Sequence, residues 1–115
     1  MQVNIKRAYA PASPGDGYRI LIDRLWPRGV TKEAARLDLW LKEIAPSTEL
    51  RKWYHGGEGD WESFVARYRQ ELERNPDAVA RLRAIAAEHP VVTLVYGSKD
   101  EERNGAVVLK ELLKG

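Results

Sequence analysis

The segment Asp23-Arg24-Leu25-Trp26-Pro27-Arg28-Gly29 is the most unusual local stretch of the chain. It places one carboxylate, two guanidinium groups and an indole beside a turn that proline stiffens. Arginine binds phosphate in a bidentate fashion, and an indole stacks on flat groups, so one interpretation is an anion-binding pocket that includes Arg24 and Arg28. The competing interpretation is structural: Asp23 pairs with one of the two arginines and Trp26 packs in the interior.

Lys42, Ser47 and Arg51 form a second candidate cluster for ligand binding. Ser47 stands where a helix is predicted to begin, and helix N-termini attract anions through free backbone N–H groups and the helix dipole. Arg51 follows one turn later, so we expect both side chains to approach the same ligand. The competing interpretation is ordinary helix capping by Ser47 next to a solvated arginine.

His55, Asp23 and Asp100 are the candidate catalytic residues, because an imidazole titrates near neutrality and carboxylates serve as general acids or bases. Lys99 and Asn104, on either side of the second aspartate, are candidate ligand-binding residues. The two histidines of the chain are far apart, so no zinc site is predicted. A divalent metal held by His55 with Asp23 or Asp100 is a less favoured alternative.

Familiar motifs for nucleophiles and nucleotides are absent from the sequence. It contains no Gly-x-Ser-x-Gly, no Walker loop and no Gly-x-Gly-x-x-Gly. Gly97-Ser98-Lys99 follows a predicted strand as a phosphate loop does, but the glycine-rich lead-in is missing. The sequence therefore identifies no cofactor.

Composition narrows the class of protein. The 115 residues, 43% hydrophobic and 31% charged, predict one folded domain over residues 1–115 and exclude extended disorder. No apolar run approaches the roughly 20 residues that cross a bilayer, so no membrane association is expected. The absence of cysteine excludes disulfides, thiolate metal sites and thiol catalysis. The first residues do not follow the pattern of a signal peptide, and we expect a cytoplasmic location.

The charge is unevenly distributed along the chain. Residues 1–57 carry ten Lys or Arg against six Asp or Glu, whereas residues 58–115 carry nine against eleven. Twelve of the nineteen cations are arginine. A basic N-terminal half is compatible with an anionic partner, nucleic acid included, although a solvated surface explains it equally simply. The oligomeric state is not readable from the sequence.

Hydrophobic periodicity predicts the elements that must position these residues. Four strands are predicted, at residues 3–6, 18–23, 37–42 and 91–96; the third has one solvated face, and the second and fourth are buried. A brief helical turn capped by Thr31 comes before the third strand. The helices follow from capping residues and apolar spacing, at residues 48–54, from residue 61, from residue 76 and at residues 101–114.

Two of these helices carry specific expectations. In the helix capped by Asp60, one face holds the apolar residues Trp61, Phe64, Val65, Tyr68 and Leu72. In the last helix, Asp100 is the predicted cap, and Glu101 and Glu102 are expected to complement the helix dipole in the first turn.

The order of elements predicts the fold class. It reads β, β, short helix, β, α, α, α, β, α, which is typical of a compact α/β domain whose mostly parallel sheet has helices on both faces. Ligands of such sheets bind outside the carboxyl ends of the strands. Asp23 and Arg24 follow the second strand, and residues 97–100 follow the fourth. We therefore expect one polar pocket where these two strands end.

Several stretches resemble one known family when they are taken together: residues 18–29, 42–47, 50–52, 55–56, 64, 68, 71–72, 93–96, 104 and 106–109. They are similar to the small YeaO-like proteins of bacteria and archaea, a domain of unknown function numbered 488. The resemblance covers essentially the whole chain and implies a compact α/β fold but no settled activity. Members often have Asn-His-Ala where this chain has Asn104-Gly105-Ala106, so any role of that histidine is absent here.

The residues leave two classes of function open. The leading hypothesis is a polar, arginine-rich pocket for an anionic, phosphate-bearing ligand. As an enzyme on a nucleotide-like metabolite, such a protein would use an aspartate or His55 as acid or base, with arginines stabilising developing charge. The alternative is a non-catalytic module that binds nucleic acid or a protein partner through the basic N-terminal half.

Overall fold

The computed structural model describes residues 2–114, which form four strands and five α-helices. The strands are β1 (Gln2–Arg7), β2 (Tyr18–Leu21), β3 (Leu39–Trp40) and β4 (Val91–Tyr96). The helices are α1 (Lys32–Ala35), α2 (Thr48–His55), α3 (Trp61–Glu73), α4 (Pro76–Glu88) and α5 (Gly105–Lys114). Two short 3-10 turns, Pro14–Asp16 and Lys42–Ile44, precede β2 and α2. None of the helices in this range is long and apolar enough to cross a membrane.

The strands form one parallel sheet in the order β1-β4-β2-β3. Leu94 of the central strand β4 pairs with Ile5 on one side and with Ile20 on the other, and it is fully buried. A strand enclosed on both edges and both faces disfavours charge, and the run Val91–Tyr96 carries none. The hydroxyl of its buried Thr93 donates to the carbonyl of Asp16. The predicted α/β class with a mostly parallel sheet is confirmed.

The two faces of the sheet are covered unequally. Side chains alternate along each strand, so Ile20 and Leu94 join the main core with α2, α3, α4 and α5, whereas Leu21 and Val95 point to the opposite face. That second face is covered by the short α1 and by neighbouring loops, with Trp40 among the side chains packed there. Helices therefore lie on both faces, as predicted, but four of the five lie on one.

Helix α3 buries the apolar face that its spacing predicts. Phe64, Tyr68 and Leu72 are buried, and Trp61 and Val65 are half-buried against them. The Tyr68 hydroxyl donates to the carbonyl of Ile44, so this buried polar atom has a partner. Asp60 caps the helix by accepting a hydrogen bond from the Ser63 N–H at 2.8 Å.

Three predicted elements have wrong boundaries: the second strand, the third strand and the last helix. The second strand stops at Leu21 rather than at residue 23, although the Ile22 N–H still donates to the carbonyl of Val95. The third strand keeps only two of its six predicted residues, Leu39–Trp40. Alternation of leucines predicts a side-chain pattern, but a strand also needs a partner, and β2 offers only Ile20 and Leu21 for pairing.

Helix α5 begins at Gly105, four residues later than predicted. Asp100 does accept backbone hydrogen bonds, from Glu102 and Arg103, but these close a turn in the loop before the helix. The side chain of Asn104 accepts from the Val107 N–H and is the actual cap. The expectation that Glu101 and Glu102 complement the dipole of the first turn is therefore wrong.

A buried ionic network fixes the loop before β2. Arg19 is only 3% exposed, and its Nη1 donates to Asp16 at 2.6 Å while Nε and Nη2 donate to the carbonyl of Ala35. Lys6 contacts the same carboxylate at 3.0 Å. Burial alone would raise the pKa of Asp16, but hydrogen bonds from Ser13, Lys6 and Arg19 outweigh it and lower the pKa to about 2.

Truncating Phe64 tests the assignment of the α3 face. Phe64→Ala should lower the free energy of unfolding by about 3–5 kcal/mol, because it leaves a cavity in the main core. Gln70→Ala, at an exposed position of the same helix, is the matched control and should change it by no more than about 0.5 kcal/mol. Urea unfolding measures both. A loss below about 1 kcal/mol for Phe64→Ala would contradict the assignment.

The pH dependence of stability tests the network around Asp16. Its pKa is about 2 in the folded protein and 3.8 as the ordinary value, so its contribution is complete above about pH 4 and is lost as the pH falls towards 2. Asp16→Asn should therefore lower stability at neutral pH by about 1.5–3 kcal/mol and flatten the acid limb. Urea unfolding between about pH 2 and 7 measures this difference. Parallel curves for the two proteins would refute the role of Asp16.

Candidate functional site

A cleft of about 240 Å³ opens where β2 and β4 end. This is the edge at which parallel sheets bind their ligands. The polar side chains that line it come from the ends of β2 and β4, from α2 and from the loop before α5. They are Asp23, Arg24, Arg51, His55, Ser98, Arg103 and Asn104, and the aromatic wall consists of Tyr54, Phe64 and Tyr96.

The floor of the cleft is a hydrogen bond between the two strand ends. The Gly97 N–H donates to Oδ2 of Asp23 at 2.8 Å. A Cβ atom at residue 97 would lie 3.1 Å from this oxygen, so glycine permits the close approach. The carbonyl of Asp23 accepts in turn from the indole N–H of Trp40 at 2.7 Å. The register of β2 and β4 predicts this meeting of strand ends, and the structure shows it.

The environment of Asp23 disfavours its charge. Burial raises the pKa of this carboxyl above 3.8, while the Gly97 N–H and the positive charges of Arg51 and His55 oppose the rise. No ion pair within 4.0 Å joins Asp23 to a cation anywhere in residues 2–114. A carboxylate held this way contributes little to stability, and such groups are concentrated at functional sites.

Arg51 brings an unsatisfied donor to the same cleft. It lies in the second turn of α2, and its Nε is completely buried without an acceptor among the described residues. Buried polar atoms nearly always have a partner, and one left without costs about 1–3 kcal/mol. Its positive charge reaches Asp23, yet the two side chains form no ion pair. The guanidinium of Arg51 therefore lies at the cleft without an acceptor among residues 2–114.

Five of the ten residues singled out in the sequence lie at the cleft: Asp23, Arg24, Arg51, His55 and Asn104. Arg24 also donates a long hydrogen bond, 3.4 Å, to the carbonyl of Ala45. His55 is the last residue of α2 and is exposed. Asn104 is buried and holds the loop before α5, because its Nδ2 donates to the carbonyl of Asp100 at 2.9 Å.

Ser47 and Lys42 are used elsewhere. The backbone N–H and hydroxyl of Ser47 donate to the two carboxylate oxygens of Glu71 at 2.8 and 2.6 Å, and its Oγ caps α2. The anion that this helix start attracts is therefore the protein's own Glu71. Lys42 lies with its Nζ over the ring of Trp40, 4.1 Å from the centroid. Neither residue lines the cleft.

Arg28, Lys99 and Asp100 are exposed and do not line the cleft either. Arg28 lies in the turn that the Val30 N–H closes by donating to the carbonyl of Pro27. Asp100 is a turn residue: backbone hydrogen bonds from Arg103 and Glu102 lower the pKa of its carboxyl. The structure thus brings together only five of the ten predicted site residues.

Arg103, Tyr54 and Tyr96 line the cleft but were not identified from the sequence, whereas Ser98 belongs to the predicted cluster at residues 97–100. The predicted helix over residues 101–114 includes Arg103 in its first turn, and the sequence does not indicate that a side chain there would line the cleft. Because α5 begins only at Gly105, Arg103 lies in the loop that borders the cleft. The cap motif at Asn104 was the signal available for placing it correctly.

Metal binding has little support in this arrangement. Within residues 2–114, no group of three or more His, Cys, Asp or Glu side chains is placed to hold a metal ion. A site built from His55 with Asp23 or Asp100 therefore has no third protein ligand in that range.

Gly105 borders the cleft at the position where the sequence departs from the family pattern. A Cβ atom there would make ordinary contacts, 3.6 Å to Tyr68 and 3.7 Å to Ile22. A side chain would therefore fit at this position, next to the cleft. The chain presents only glycine there, and its cleft has His55 as the sole imidazole among the lining residues.

Comparison with known proteins gives one family. A family model described as "Inactive DUF488-N3 subclade" matches residues 2–115. The uncharacterized protein YeaO of Escherichia coli is 47% identical over 114 residues, which cover 99% of this chain and 98% of that protein. The uncharacterized proteins Mb3100c of Mycobacterium bovis and Rv3073c of Mycobacterium tuberculosis are each 40% identical, over 99% of this chain and 95% of theirs. No solved structure matches.

Proposed function

The chain belongs to the DUF488 family, in the subclade described as inactive, and from this premise we propose that it binds a small phosphate-bearing anion without transforming it. The observation that carries the proposal is the guanidinium of Arg51, which lines the cleft and donates no hydrogen bond to any of the described residues. A bound anion would supply the acceptor that its terminal nitrogens lack. It would also gain from a site that is already in place, since the fold holds the cleft by its own hydrogen bonds.

The charges around the cleft favour an anion. Arg24, Arg51 and Arg103 line it, and the carboxyl of Asp23 has its pKa raised by burial. The planar fork of arginine matches phosphate geometry and keeps its charge at all relevant pH values. Three guanidinium groups around one carboxyl leave a net positive cleft, the electrostatic complement of a phosphate monoester.

Binding without turnover is supported by the state of the candidate catalytic groups. One oxygen of the Asp23 carboxylate accepts from Gly97, and Asp100 accepts from the backbone of its own turn. His55 is exposed at the end of its helix, and the family position that often holds a second histidine is Gly105. The word "inactive" in the description of the subclade agrees with this interpretation.

A small ligand suits the surroundings of the cleft better than a nucleic acid. Asp100, Glu101 and Glu102 are all exposed in the loop that borders it, and their negative charges repel a polyanion. A salt titration separates the two cases. Binding along a nucleic-acid backbone weakens steeply with ionic strength, whereas a ligand enclosed in the cleft is affected less.

Substitution of Arg51 tests the proposal, with Arg28 as the matched control. Arg51→Ala should weaken the binding of inorganic phosphate and simple phosphate monoesters by about 1.5–3 kcal/mol, the range for hydrogen bonds to charged groups. Arg28→Ala removes an equal charge outside the cleft and should leave binding unchanged. Titration calorimetry at fixed ionic strength measures both affinities.

Thermal unfolding of the same variants is the control for folding. Arg51→Ala should unfold at the same temperature as the parent or higher, because it removes a buried donor that has no acceptor. The absence of phosphate binding in the parent, or equal losses in both variants, would exclude the cleft as the binding site. Conversion of a phosphate ester during the titration would establish an enzyme instead.

A further inference from the structure

Two complementary groups at the cleft, one acceptor and one donor, have no hydrogen-bond partner within residues 2–114. Oδ2 of Asp23 accepts from Gly97, but Oδ1 of the same carboxyl makes no hydrogen bond within residues 2–114. Nε of Arg51 is a donor without an acceptor in that range. Both side chains line one cleft, and no ion pair within 4.0 Å joins them. The cleft therefore presents one unmet acceptor and one unmet donor.

A bare phosphate satisfies only half of this arrangement. Its oxygens can accept from Arg51, but they bring negative charge close to the carboxylate of Asp23, which repels them. A hydroxyl group beside the phosphate reduces this repulsion, because it can donate to Oδ1 of Asp23 and lie between the two negative groups. A hydrogen bond to a charged acceptor is stronger than one between neutral groups.

We propose that the cleft selects a small phosphate monoester with a hydroxyl group next to the phosphate, Asp23 accepting from the hydroxyl and Arg51 donating to the phosphate. This proposal rests on the function proposed above and narrows the class of ligand to polyol phosphates.

The size of the cleft supports the restriction of the ligand to small polyol phosphates. Its volume of about 240 Å³ is below the roughly 300–1,000 Å³ of pockets that enclose drug-sized ligands. A short carbon chain with a phosphate fits within it, whereas a complete nucleotide would leave its base outside. The aromatic side chains of Tyr54 and Phe64 provide an apolar wall for the carbon chain.

Glycerol 3-phosphate and n-propyl phosphate form the matched pair of probes. They share three carbons and the phosphate and differ in the hydroxyl groups. Titration calorimetry on the intact protein should give an affinity for glycerol 3-phosphate about ten- to a hundredfold higher. Asp23→Asn should abolish most of this preference, and n-propyl phosphate should bind the variant more tightly than the parent, because the repelling charge is gone. An asparagine oxygen can still accept from the Gly97 N–H, and thermal unfolding of the variant checks its fold.

The outcomes separate this proposal from the one on which it rests. If the parent binds both probes equally and Arg51→Ala loses both, phosphate binding stands and selection by Asp23 is refuted. If the parent prefers glycerol 3-phosphate and Asp23→Asn keeps that preference, Asp23 is not the selecting group. If the parent binds neither probe nor inorganic phosphate, both proposals fail.

Discussion

The hydrogen bond from the Gly97 N–H to Asp23 is the contact on which the arrangement of the cleft depends. It closes the end of the sheet between β2 and β4 and holds a carboxyl group where water has limited access. Around this point, Glu71 holds the start of α2 through Ser47, which sets the position of Arg51 one turn further on. The walls of the cleft are therefore fixed by contacts that lie outside it.

Asp16 and Asp23 illustrate how one residue type serves two purposes. Both are removed from water, but Asp16 receives hydrogen bonds from Ser13, Lys6 and Arg19, and its pKa is lowered to about 2. Asp23 receives one, from Gly97, and its pKa is raised. The first carboxylate stabilises the fold at neutral pH, and the second costs stability when it is charged. Stability supplied by other contacts lets the protein keep this carboxyl in the cleft although burial disfavours its charge.

Sequence reasoning predicted the parts of the site that depend on local order. Asp23 and Arg24 were placed at the edge of a parallel sheet because they follow a buried strand. Arg51 was paired with Ser47, one helix turn before it, but only Arg51 lines the cleft. Contacts between distant residues were not predictable. Nothing in the sequence near Ser47 indicates that Glu71, 24 residues away, occupies the start of α2.

The remaining errors concern where α5 begins and how long β3 is, and both arise because the local sequence is compatible with more than one structure. An aspartate that accepts hydrogen bonds from two backbone N–H groups occurs both at helix caps and in isolated turns. The sequence therefore predicts Asp100 as the cap of α5, whereas the actual cap is Asn104. That error moved Arg103 from a loop into a helix and hid its place in the cleft. The length of β3 depends on how far β2 extends beside it, which the alternating leucines do not encode.

Titration of the Asp23 carboxyl by carboxyl-carbon NMR tests most directly whether Asp23 and Arg51 share one cleft. In the ligand-free protein, we expect a pKa above 3.8, because burial outweighs the Gly97 N–H and the nearby positive charges. Replacing Arg51 by alanine should raise this pKa further, since a positive charge that favours the carboxylate is removed, whereas the same change at Arg28 should leave it unaltered. A pKa at or below 3.8, or one that does not respond to the loss of Arg51, would contradict the account.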